Sequence, residues 1–187
     1  GWGWFSGHGE ASYPHTTAYV VHGLQIAKAN DVKLPDGMLE RGLAWLQNHQ
    51  TEQLRRLNLP ENTPYRKTRA DDQDAFTYMV LVDSNVKNDG MMERIYADRV
   101  ELALYGKAML GMALARQKQQ DKVDMIMKNI EQFLVQDDEN QTAYLKLPDD
   151  NWWWSWHGSS IEANAYFLKL LTRINPQDAR CSRLVKY

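Results

Sequence analysis

Three histidines, His8, His15 and His22, fall seven residues apart, and a metal site is the first chemistry that spacing suggests. On one helix, residues seven apart stand about 10 Å apart along the axis, whereas a zinc ion needs its ligand nitrogens about 2 Å away. His8 also belongs to the glycine-rich stretch GWGWFSGHG (1–9), ahead of any helical pattern. Helix-end or core histidines are the better account, and neither a metal nor another cofactor is expected. RADDQDAF (69–76) brings together Asp71, Asp72 and Asp74, as in isoprenoid enzymes whose aspartates hold magnesium against a diphosphate or protonate an alkene. These three stand where a helix begins, so their carboxylates suit exposed N–H groups and the positive end of the dipole. No second acidic cluster occupies a partner helix. YGKAML (105–110) contains Gly-Lys but lacks the upstream glycine and the following Ser or Thr of a phosphate loop.

Cys181 is the single cysteine, so no internal disulfide and no all-cysteine metal site can form. A lone cysteine suits the cytosol or a bacterial periplasm equally. Arg180 and Arg183 lie beside it and would activate its thiol at most modestly. The aromatic clusters GWGWF (1–5) and NWWWSWHG (151–158) contribute Trp2, Trp4, Phe5, Trp152, Trp153, Trp154 and Trp156. Exposed, such clusters are binding platforms. Buried, they close the end of a helical array, and each here precedes an apolar helix. Packing is therefore the expected role, with interaction as the alternative.

The elements that must position these residues are helical almost throughout. TTAYVVHGLQIAKAN (16–30) is apolar on nearly every face, which predicts a helix buried on most sides. PDGMLERGLAWLQNHQTEQLRRL (35–57) carries Leu39, Leu43 and Leu46 at steps of four and three, with Gly42 and Trp45 widening the stripe. Pro35 and Asp36 are expected in its first turn. A polar loop with two prolines follows at 59–72. Residues 72–85 form a second mostly apolar helix and 89–99 its amphipathic partner. The pattern recurs as 100–119 with 122–136, and as 159–174 with the beginning of a helix at 176–187. Only QTAYLKLP (141–148) alternates, allowing at most one short β segment near 141–147.

An apolar helix followed by an amphipathic one, four times over, predicts an all-α fold of stacked helical hairpins in a single domain over 1–187. The 187 residues and 43% hydrophobic content suffice for such a core. A net charge of −2 without a one-sign run argues against a nucleic-acid partner. Charges and amides interrupt every apolar stretch before membrane-spanning length, and no signal pattern opens the chain. Gly1 in place of Met, and an ending that reads as mid-helix, lead us to expect a segment truncated at both ends.

The motifs in order also resemble a known family. SYPHTTAYVVHGLQIAK followed by GLAWLQNHQ is similar to the segment after the thioester motif of α2-macroglobulin and complement proteins. DDQDAFTYMVLV and VELALYGKAMLGMALARQ resemble the next inner helices, and SSIEANAYFLKLLTRI with RLVKY a later pair. GWGWFSG and NWWWSWHG look most like the large bacterial branch. The resemblance spans essentially the whole chain.

It implies an α/α toroid of the thioester or complement-component type, incomplete here, within a large bacterial proteinase inhibitor. The implied partners are proteinases, met through the full-length parent, and other domains of that parent. The implied location is the periplasm or cell envelope, with or without a lipid anchor on the parent. In thioester-bearing members a Cys-x-Glu-Gln segment forms an internal thioester that acylates a nucleophile once, rather than turning over. No such motif occurs in this chain, where Cys181 is followed by Ser-Arg-Leu, and part of the branch lacks the motif. Residues 50–75 contain no histidine, and His49 belongs to the preceding helix. Any upstream thioester would then react with amines rather than hydroxyls. No catalytic residue is expected within the chain. Two other readings stay open. One is a toroid enzyme of the terpene-cyclase or glycan-processing type, with Asp71, Asp72 or Asp74 lining a cavity. The other is an interaction module anchored on Trp152, Trp153 and Trp154.

Overall fold

The computed structural model describes residues 1–4, 9–147 and 160–187. Among these the chain is mostly helical, with eight α-helices and one small antiparallel hairpin. It divides into two compact units, residues 1–98 and 99–187, each described by itself.

The first unit holds α1 (Pro14–Ala29), α2 (Met38–Leu57), α3 (Asp72–Asp83) and α4 (Asp89–Ala97). α1 packs on α2 and on α3, while α2 packs on α3 and α4, and α3 on α4. Pro14 opens α1 because its missing N–H and fixed φ suit a first turn, and it holds Tyr13 in extended backbone. α3 is enclosed on all sides from Asp74 to Val82. α2 and α4 are buried along one stripe each, Leu39–Gly42–Leu46–Gln50–Gln53–Leu57 and Met91–Met92–Ile95.

Two expectations need correction here. α1 is not buried on most sides. Thr17, Ala18 and Val21 are covered, while Tyr19 is 41% and Ile26 50% exposed. Among the described helices, α2 and α3 are those it packs against. Pro35 and Asp36 are not in the first turn of α2 either. Gly37 has φ +70° at the N-cap, a left-handed conformation that glycine takes without strain, and the helix starts at Met38.

The second unit begins with a 3₁₀ turn, Arg99–Glu101. It continues through α5 (Leu104–Arg116), α6 (Gln120–Glu131), strands β1 (Leu134–Asp137) and β2 (Thr142–Leu145), α7 (Ser160–Ile174) and α8 (Ala179–Lys186). α5 is buried on every face from Leu104 to Leu114 and packs on α6 and α7. Gly111 permits the approach, since a Cβ there would lie 2.9 Å from Leu170 Cδ2 and 3.1 Å from Ile126 Cγ2. Lys107 is buried among the apolar residues, its Nζ donating to the carbonyls of Val100 and Leu102. The lysine thus closes the turn that precedes its own helix.

A single β segment was expected, and the structure has two strands. β1 pairs with β2 in the register Leu134↔Leu145 and Asp137↔Thr142, so the helix expected over 122–136 ends at Glu131. A lone strand leaves its backbone groups unsatisfied. The hairpin supplies the partner, turning where Asp137 accepts hydrogen bonds from Asn140 N and Nδ2 at 3.0 and 2.6 Å. Asn164 fastens α7 to it, accepting from Leu145 N at 2.8 Å and donating to Ser160 O at 2.7 Å.

Candidate functional site

Gly42, Trp45 and His49 follow one another along one side of α2. At its first turns Gly42 lies beneath the ring of Trp2, whose Cζ3 and Cη2 would be 2.8 and 3.0 Å from a Cβ at that position. Trp2 is half-buried, and its backbone is fixed to α1. Its N–H donates to Thr17 Oγ1 at 2.9 Å, and its carbonyl accepts from Tyr13 N at 2.9 Å. One turn on, Trp45 and His49 stack with ring centroids 5.5 Å apart and planes 8° from parallel. Burial, with help from the Lys67 charge, holds His49 below the ordinary imidazole value, while Asp71 opposes the shift. At neutral pH its ring is uncharged.

Beyond His49 lies an ionic cluster that closes the loop before α3. Asp71 is the N-cap of α3, accepting from Asp74 N at 3.1 Å, and Asp74 accepts from Asp71 N at 3.0 Å, a reciprocal capping box. Lys67 Nζ reaches both carboxylates, 2.7 Å from Asp71 Oδ2 and 2.5 Å from Asp74 Oδ2. Asp74 is buried. Burial and the neighbouring Asp71 charge push its carboxyl up to about 6, against the opposing pull of Lys67. Ala70 N donates to Asp98 Oδ2 at 2.8 Å, tying the same loop to the end of α4.

Of the expected residues, the structure therefore places Asp71 and Asp74 in a helix cap. None of the three aspartates lines either of two grooves found among the described residues. One of about 310 Å³ follows α1, among Lys28, Val32, Pro35, Asp36, Leu39 and Glu40. The other, of about 320 Å³, lies between α7 and α8, among Ile161, Asn164, Ala165, Leu168, Leu184 and Tyr187. His15 and His22 stand at 6.0 and 6.5 Å from the Phe76 ring, with Tyr19 against the same ring at 4.8 Å. Trp4 is 71% exposed. Phe5, His8, Trp152, Trp153, Trp154 and Trp156 lie outside the described residues. Cys181 is a free thiol on α8, its pKa raised by burial and by the Asp178 charge.

Lys67 escaped the sequence reading, and His49 was read only as a residue of the helix before the loop, where the structure places it. The Lys67–Asp71 spacing of four and the Asp71-x-x-Asp74 pattern were the available signals. The chain matches no family profile, no curated protein and no solved structure.

Proposed function

We propose that the chain is a segment of the α/α toroid of an α2-macroglobulin-like proteinase trap and that it contributes architecture rather than a reacting group. The observation that carries this reading is the packing order. In the first unit α1 packs on α3, and in the second α5 packs on α7, so within each unit the leading helices of its two hairpins lie side by side. α3 and α5 are enclosed on all faces, whereas α2, α4 and α6 are buried along one stripe. Stacked hairpins with an inner apolar row and an outer amphipathic row build a toroid wall, and the motif order of the sequence agrees with it. The ionisable groups fit the same reading, since Asp71, Asp74 and Lys67 are engaged in a cap.

Within this proposal the partners are proteinases, met through the full-length parent, and the parent's other domains. Location in the periplasm or cell envelope belongs to the same proposal. No described helix is long and apolar enough to cross a membrane.

The test is a trapping assay on the full-length parent with a broad-specificity proteinase. The expected result is a proteinase that still cleaves a small chromogenic peptide but no longer cleaves casein or meets a protein inhibitor. Full activity on casein after the parent has been nicked would overturn the reading. Intact mass before and after methylamine, with thiol titration, then sorts covalent from non-covalent trapping.

A further inference from the structure

The loop that follows α2 presents one side chain in an unusual way. Tyr65 is 83% exposed and has φ +64°, a left-handed backbone that is a genuine outlier for a bulky residue. The conformation is held from several directions. Arg56 Nε donates to the Tyr65 carbonyl at 2.8 Å, Lys67 N donates to Arg56 O at 3.1 Å, and Arg66 N donates to Thr63 O at 3.2 Å. Lys67 is in turn clamped between Asp71 and Asp74. An exposed aromatic ring gains nothing for the fold, yet the surrounding bonds fix a strained backbone beneath it. Backbone strain of this kind clusters at functional positions.

Two guanidinium groups flank Tyr65 along this loop, one bonded to its carbonyl and one on the next residue. Arg56 spends its Nε on a carbonyl, and Arg66 Nε is enclosed without an acceptor. Among the described residues neither guanidinium has a carboxylate within ion-pair distance, while the nearby Arg55 is satisfied by Glu52 at 2.7 Å. Glu61 is the one acidic side chain between Arg56 and Arg66.

We infer that Tyr65, Arg56 and Arg66 form a recognition patch for an acidic segment of a partner protein. Tyrosine and arginine are the side chains that most often dominate interface energetics, the ring through contact area and the guanidinium through planar pairing with carboxylates. The rigid loop lowers the ordering cost of binding. The inference does not rest on the toroid reading, because the patch is built entirely within the first unit.

The test uses the 187-residue chain and a fluorescently labelled octaglutamate peptide, followed by anisotropy at low and physiological salt. An octaglutamine peptide and an oligothymidylate of equal charge serve as comparators. The expected result is saturable binding of octaglutamate alone, weakened about tenfold by Arg66→Gln and similarly by Tyr65→Asn. Asparagine tolerates the left-handed backbone, so the Tyr65→Asn chain keeps its thermal midpoint. Absence of octaglutamate binding would overturn the inference. So would binding indifferent to both substitutions, or an oligothymidylate that binds as tightly, which would mark the patch as a general polyanion surface.

Discussion

Asp74 Oδ2 accepts two hydrogen bonds at once, from Lys67 Nζ at 2.5 Å and from Asp71 N at 3.0 Å. One oxygen thus closes the N-terminal capping box of α3 and anchors the preceding loop. Because both donors meet the same oxygen, a neutral group that keeps an acceptor there keeps both bonds. Asp74→Asn is therefore expected to change stability by no more than about 1 kcal/mol, with its amide oxygen in that place. Asp74→Ala leaves the Asp71 N–H without its acceptor and Lys67 with one partner, and should cost about 2–3 kcal/mol. Urea denaturation of the two variants at pH 7 checks the contrast. Equal losses would show that the charge, not the acceptor, sustains the cap.

The same carboxyl gives a pH dependence with a definite sign. Its folded value of about 6 lies above the ordinary 3.8, so the folded chain holds the proton more tightly than the unfolded one. The stability it contributes is fully present below the ordinary value and is lost as pH rises through about 6. Other groups run the opposite way. Asp178 is lowered by its hydrogen bond from Arg180, and His49 is lowered by burial, and both lose stability on acidification. The informative quantity is the difference between wild type and Asp74→Asn, in which those groups cancel. Between pH 7 and pH 5 that difference should move in favour of the wild type. A flat difference would place the Asp74 carboxyl at its ordinary value.

Gly42 and Trp2 form a contact that one methyl group would break. A Cβ at position 42 would lie 2.6 Å from Val21 Cγ2 as well as 2.8 Å from the Trp2 ring, and Val21 is fully buried. Gly42→Ala should cost about 1–3 kcal/mol, more than the gain in helix propensity returns. In a double-mutant cycle, Trp2→Ala should recover part of that loss. Strict additivity of the two substitutions in thermal denaturation would show that the ring does not rest on Gly42.

What could be read in the sequence, and what could not, follows from where the information lies. The spacing of Leu39, Leu43 and Leu46, widened by Gly42, repeats at helical period, and the structure buries Leu39, Gly42 and Leu46 on one stripe while Leu43 is only half-buried. The mostly apolar character of residues 72–85 and 100–119 announced α3 and α5 equally well, and within them residues 74–82 and 104–114 are buried. α1 misled because apolar residues show what a helix can bury, not how many neighbours it has. β1 was hidden because Leu134 and Val135 continue the apolar pattern of α6, and only pairing with Tyr144 and Leu145 decides for a strand. The aspartates were correctly placed at a helix start. Their link to Lys67 and the charge environment of His49 depend on the path of a loop, and no local period encodes that path. Burial of Gln50 and Lys107 was equally unreadable, since Lys107 goes inside only because the turn before α5 folds the carbonyls of Val100 and Leu102 onto its Nζ.

Cys181 should behave as a sluggish thiol. Burial and the Asp178 charge raise its pKa, with Arg180 opposing, so less thiolate is present at pH 8 than in an unperturbed cysteine. Iodoacetamide should alkylate it more slowly than it alkylates glutathione, and denaturation in urea should abolish the difference. Alkylation faster than glutathione in the native chain would contradict this environment and would mark an activated thiol.

Asn164 offers the most local test of the second unit. Its Oδ1 accepts from Leu145 N and its Nδ2 donates to Ser160 O, so a single buried side chain joins β2 to α7. Asn164→Leu fills a similar volume but leaves the Leu145 N–H without an acceptor, a loss of about 2 kcal/mol. The effect should be uneven. Amides of β1 and β2 should exchange about tenfold faster or more, whereas those of α5, held by Leu170, Ile126 and the enclosed Gly111 contact, should change only with global stability. Hydrogen exchange read at the single residues of the hairpin distinguishes the two. Uniform acceleration across α5 and the hairpin would mean that the hairpin and the helices open as one unit. Acceleration confined to β1 and β2 would establish Asn164 as the bond that holds the hairpin onto a helical core able to stand without it.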